Sequence, residues 1–148
     1  IILGRSETEI RADIAAANAA IAAEMAGRVL IIEDEPIIAM DLQSIVESQG
    51  HSVIGIASTR DEAVTMASGN TADLVLADIQ LADGSSGIDA VKDILESHDV
   101  PVVFVTAFPE RLLTGERPEP TYLITKPFEV ATLVATIGQA LMMQRRAA

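Results

Sequence analysis

Leu74-Val75-Leu76-Ala77-Asp78 decides the fold: four consecutive apolar residues run straight into an acid. An apolar run without alternation marks a strand covered on both faces, as in a parallel sheet layered between helices. Its acid falls at the strand's carboxyl end, where the ligand crevices of open α/β sheets lie. The same punctuation recurs on either side. Leu30-Ile31-Ile32 runs into Glu33-Asp34, Val102-Val103-Phe104-Val105 into Thr106, and Tyr122-Leu123-Ile124-Thr125 into Lys126-Pro127. Three acids, a hydroxyl and a lysine are therefore expected at one edge of one sheet.

The stretches between these runs read as helices. Strand 28–32 leads to a helix at 36–49, with Pro36 at the first turn, where its missing N–H costs nothing. Strand 52–57 leads to a helix at 60–68, opened by a Thr59/Glu62 capping box. Strand 74–78 leads through Asp83-Gly84-Ser85-Ser86 to a helix at 87–97. Strand 101–106 leads to a weak helix near 109–114, and strand 121–125 to a final helix at 129–143. Five βα units over about 120 residues predict an α/β fold with an open, doubly wound sheet. Ahead of them, residues 6–26 predict an extra N-terminal helix. Ser6 and Glu9 form a capping box, Ile10, Ile14, Ala17, Ile21 and Met25 form one stripe, and Gly27 is a suitable stop.

Composition removes several function classes. The 148 residues carry a net charge of −12, which opposes nonspecific binding to nucleic acid and docking on anionic lipid. No Cys is present, so disulfides, thiolate metal sites and thiol nucleophiles are absent, as suits a reducing cytoplasm. The apolar run 14–23 is too short to cross a bilayer. His51 and His98 read as surface residues at element ends. A start at Ile1 rather than Met reads as part of something longer.

The strand-end set suits Mg²⁺-assisted transfer of a phosphoryl group onto Asp78. A carboxylate and a phosphoryl group repel, and a divalent cation relieves that by neutralising charge and holding both oxygens in line. Mg²⁺ takes oxygen ligands and keeps several waters, so one or two carboxylates and a carbonyl suffice. Asp34 and Asp78 supply the carboxylates, the backbone carbonyl of Gln80 a third contact, and Glu33 a direct or water-mediated one. Without a cation or Lys126, each close pair of acids would repel by about 4 kcal/mol at an effective dielectric of 20. Lys126 would meet phosphoryl oxygens as a compact charge, and Thr106 would donate to another. Taken singly the residues have plainer readings: Asp34 as N-cap of the helix at Pro36, Thr106 as a hydroxyl bonded to backbone, Lys126 as a solvated lysine.

Together, Glu33-Asp34, Asp78, Thr106-Ala107 and Lys126-Pro127-Phe128 resemble the phosphoacceptor constellation of bacterial response-regulator receiver domains. The resemblance covers residues 28–143 and implies a flavodoxin-like five-stranded sheet in the order 2-1-3-4-5. It also implies Mg²⁺ and phosphorylation of Asp78 by a histidine kinase or phosphotransfer protein. The stretch Phe104–Gly115 with Lys126-Pro127-Phe128 is similar to the receiver of PhyR-type general stress regulators. In that family a sigma-factor-like domain precedes the receiver, and phosphorylation frees it to bind an anti-sigma factor. Residues 1–27 would then be a linker helix or the end of that upstream domain, and 144–148 a tail. The anti-sigma factor would be an indirect partner, with a homodimer possible. Two competing readings are a degenerate receiver used only for docking or dimerisation, and an aspartyl-phosphate phosphohydrolase. The latter needs an acid two residues after the nucleophile, where this chain has Gln80.

Two features depart from the common receiver pattern. The position three before Lys126, often aromatic, is Leu123, with Tyr122 one residue earlier and so expected on the other face. Gly115, Pro118 and Pro120 predict a short or irregular helix and a mobile loop within 110–120.

Overall fold

The computed structural model describes residues 6–113, 118 and 121–147, with side chains for all of these except 18–25 and 145–147. Five parallel strands form one sheet: β1 (Arg28–Ile32), β2 (Ser52–Ala57), β3 (Leu74–Ala77), β4 (Val102–Thr106) and β5 (Tyr122–Thr125). Their order is β2-β1-β3-β4-β5, as the resemblance implied. Helices α2 (Pro36–Ser48), α3 (Arg60–Gly69), α4 (Gly87–Leu95) and α5 (Val130–Ala147) follow β1, β2, β3 and β5. A single helical turn at 110–113 follows β4, and the rest of the segment expected to be irregular and mobile lies mostly outside the described residues. Among these residues, no helix is long and apolar enough to cross a membrane.

The period-2 alternation of each strand sorts its side chains into two layers. Leu30, Ile32, Val75, Ala77 and Phe104 pack with α3 and α4, while Val29, Ile31, Leu74, Leu76 and Val105 pack with α2 and α5. Each fully buried Leu, Ile or Val contributes about 1.5–3 kcal/mol. Strands buried on both faces hold their carboxyl ends in fixed positions. The one-residue offset between Tyr122 and Leu123 has the expected result: Leu123 packs with the first layer and Tyr122 with the second.

Three expectations are corrected. Helix α5 continues to Ala147, past the expected end at Met143, so residues 144–147 are helical. Helix α1 (Glu7–Met25) forms, and Ser6 Oγ accepts from Glu9 N at 3.1 Å. However, Ile10, Ile14 and Ala17 of its stripe are exposed; the side chains of Ile21 and Met25 lie outside the described residues. Its contacts run to α5. His51 is not a plain surface residue: its Nδ1 accepts from Gly27 N at 3.0 Å, at the junction between α1 and β1.

Candidate functional site

The ladder hydrogen bonds continue past the strands and carry the functional residues with them. Asp78 N donates to Ile32 O at 2.9 Å, and Glu33 N donates to Ala57 O at 2.9 Å. Glu33 and Asp78 are therefore held by backbone as an extension of the sheet, and both are buried. Lys126 N donates to Thr106 O at 2.8 Å, which extends β5 in the same way. The Lys126–Pro127 peptide is cis.

Lys126 then reaches across the crevice. Its Nζ donates to Glu33 Oε1 at 2.5 Å and to Asp78 Oδ2 at 2.9 Å. The other Asp78 oxygen accepts from Ile79 N at 2.7 Å. Asp34, half-buried, completes the group: one carboxylate oxygen each from Glu33, Asp34 and Asp78 lie within 4.8 Å of one another. Asp34 is not the N-cap of α2. That position belongs to Glu35, whose side chain makes no cap bond, so the Asp34 carboxylate is left to the cluster.

Electrostatics follow from this crowding. Burial pushes the Glu33 carboxyl up to about 7, with the charge on Asp78 adding to the rise and the bond from Lys126 opposing it. For Lys126, burial works against the ammonium, but its bonds to Glu33 and Asp78 outweigh that and hold it above the usual lysine value. Three carboxylates against one ammonium leave a negative crevice of oxygen donors within one ion's reach. The donor set fits a hard divalent cation such as Mg²⁺, with Glu33, Asp34 and Asp78 as the residues to hold it.

Gln80 is exposed and forms an isolated bridge with Ser86. The bonds flanking that bridge, Leu81 N to Ser85 O and Gly87 N to Ile79 O, leave the Gln80 carbonyl outside the pairing. Thr106 is fully buried at the end of β4, and its Oγ1 accepts from Phe108 N at 3.0 Å. Its hydroxyl hydrogen remains a donor. The strand ends thus bring Glu33, Asp34 and Asp78 together, with Lys126 bonded to Glu33 and Asp78 and Thr106 committed to its own loop.

Gly87 belongs to the site although it follows no strand end. A Cβ there would sit 1.6 Å from the Asp78 carbonyl oxygen, so α4 begins directly against the Asp78 backbone. The signal was available as a Gly immediately after the Ser85-Ser86 cap, where Ser86 Oγ accepts from Ile88 N at 3.1 Å. Only the close approach of two backbones explains it.

Comparisons with known proteins agree with this fold. Residues 29–138 match the response regulator receiver domain family. The chain is 56% identical over 148 residues to the phyllosphere-induced regulator PhyR of Methylorubrum extorquens, covering 99% of this chain and 55% of that protein. It spans about half the length of the curated relatives it matches. The PhyR receiver domain of Erythrobacter litoralis, solved by solution NMR, is 61% identical with a TM-score of 0.77, covering 80% of this chain and 92% of that one. A Bartonella quintana anti-anti-sigma factor PhyR, solved in complex with anti-sigma factor NepR, is 51% identical with a TM-score of 0.63, covering 96% of this chain and 62% of that one. That complex joins PhyR to NepR directly, which corrects the expectation of an anti-sigma factor at one remove for that relative. The chain therefore belongs to the response regulator receiver domains, and within them to the PhyR-type receivers.

Proposed function

We propose that the chain is a phosphorylation-controlled regulatory module, not a turnover enzyme, and that Asp78 accepts a phosphoryl group from a histidine kinase or phosphotransfer protein. The observation that carries this reading is the Lys126 ammonium, which bridges two buried carboxylates beside a third at the carboxyl edge of the sheet. An Asp78 oxygen attacks phosphorus as the donor's P–N bond breaks, and the departing imidazole takes the electron pair. When bound, Mg²⁺ neutralises charge and aligns the reacting oxygens. Glu33, Asp34, Asp78 and the Gln80 carbonyl would hold that ion. Lys126, already 2.9 Å from Asp78, turns to a phosphoryl oxygen, and Thr106 donates to another once its hydroxyl swings away from Phe108 N. That swing gives the segment after β4 a reason to move.

The regulated output is a sigma-factor-like domain joined through residues 1–27, and its target is an anti-sigma factor of the general stress response, in the cytoplasm. The Bartonella complex supports direct contact between the whole regulator and such a factor. The test is intact mass after incubation with Mg²⁺ and acetyl phosphate. The expected result is a gain of one phosphoryl group, lost in Asp78→Ala and in a chelated sample. If neither acetyl phosphate nor a phosphorylated kinase charges the protein, it is a docking module.

A further inference from the structure

The eight residues between Asp78 and Gly87 form a small hairpin, and its tip is fastened to the start of a different helix. Ala82 N donates to Ser58 O at 3.1 Å, and Arg60 N donates to Ser85 Oγ at 3.2 Å. An N–H in the first turn of a helix has no partner inside it, so α3 spends one of its free donors on this loop. Ser85 is held in turn by Asp83, whose Oδ1 accepts from both its N and its Oγ.

The Arg60 side chain closes the arrangement from the other side. Its Nε donates to Asp93 Oδ2 at 2.6 Å and its Nη2 to Asp93 Oδ1 at 3.0 Å, a two-pronged bond across to α4. Nη1 lies 3.9 Å from Asp89 on the same helix. Helix α4 is the element whose first residue, Gly87, abuts the Asp78 carbonyl. One residue therefore ties the tip of the hairpin through its backbone and the helix after the hairpin through its side chain.

We propose that Arg60 is a positioning residue for the phosphoacceptor site, fixing the path of Asp78-Ile79-Gln80 and so the placement of the Gln80 carbonyl toward the divalent cation. This deepens the proposed function and rests on it. Arg60 and Asp93 are partly exposed, so their bond adds little to overall stability, and its effect is on geometry. Lysine cannot make the two-pronged contact, because its ammonium is a single point of charge.

The test is a Mg²⁺ titration of the full chain followed by NMR at the Ile79, Gln80 and Gly87 amides, with urea midpoints measured in parallel. Arg60→Ala and Asp93→Ala are expected to weaken Mg²⁺ binding about tenfold, as loss of a partner behind a ligand does. The double variant is expected to be no weaker than either single, Arg60→Lys to fall between, and urea midpoints to stay close to wild type. Variants that bind Mg²⁺ as wild type does, or singles whose effects add in the double, would overturn the inference. A wild-type protein with no saturable Mg²⁺ response at these amides would overturn the proposed function itself.

Discussion

The two halves of the crevice are built differently. On the β1–β3 side, Glu33 and Asp78 extend the sheet by ladder bonds, both carboxylates are salt-bridged, and the hairpin after Asp78 is bonded to α3 and seated on α4. On the β4–β5 side, the Thr106 hydroxyl is held by the amide of Phe108, a residue 38% exposed. Leu112 anchors the following turn in the core, while the adjacent Leu113 is 73% exposed. Holding charges close together requires a rigid frame, because the repulsion must be met at fixed distances. Reporting a new charge requires a group with two alternative bonds of similar strength. The first half has the frame, and under the proposed function a phosphoryl oxygen would give Thr106 in the second half the alternative.

Three substitutions break or sharpen that contrast. The largest effect is expected on the rigid side, from Gly87→Ala. Its Cβ meets backbone and no side chain can give way, so the loss in urea is expected to be about 3 kcal/mol. Gly69→Ala, with nothing within 4 Å of the added carbon, is the control and is expected to be close to neutral. A smaller loss at Gly87 than at Gly69 would mean that α4 is not tightly seated.

Next comes the pH dependence of the acid cluster without metal. Folded Glu33 titrates at about 7 against a reference of 4.5, so the folded state binds this proton more tightly than the unfolded chain. Its contribution to stability is full below about 4.5 and is lost as pH rises through 7, a span worth up to ~3 kcal/mol. Chelated wild type should therefore lose stability relative to Glu33→Gln between pH 5 and 7.5 in denaturation curves. Parallel curves for the two proteins would show that Lys126 alone balances the cluster.

The smallest effect belongs to the second half. Thr106→Val keeps the shape of the side chain and deprives the Phe108 amide of its acceptor, at a cost of about 1 kcal/mol. Hydrogen exchange should quicken at Phe108 and stay unchanged at Ile79. Equal quickening at both would mean that the two halves move as one.

Much of this was legible in the chain. Strand and helix positions followed from the apolar runs and their spacing, and errors were confined to ends, as at Met143, where α5 continues. The hydroxyl side of the caps at Ser6 and Thr59 formed as their sequence patterns predicted, since an N-cap involves residues three apart. At Thr59 the reciprocal bond differs, because Glu62 accepts from Ser58 N instead. The strand order came from the family resemblance, because periodicity carries no information on which strands are neighbours.

What the sequence by itself determined was the kind of sheet and the chemical endowment of its carboxyl edge: two-sided burial demands unbroken apolar runs, and the residue after each run is placed by connectivity alone. What only the tertiary structure decided was the pairing. Lys126 meets Glu33 across 93 positions and Asp78 across 48, Asp34 is released from capping, Gly87 lies against the Asp78 backbone, and Arg60 reaches Asp93 across 33. Those contacts depend on strand order, twist and crossover acting together, and no local pattern in a chain encodes the distance between residues that far apart.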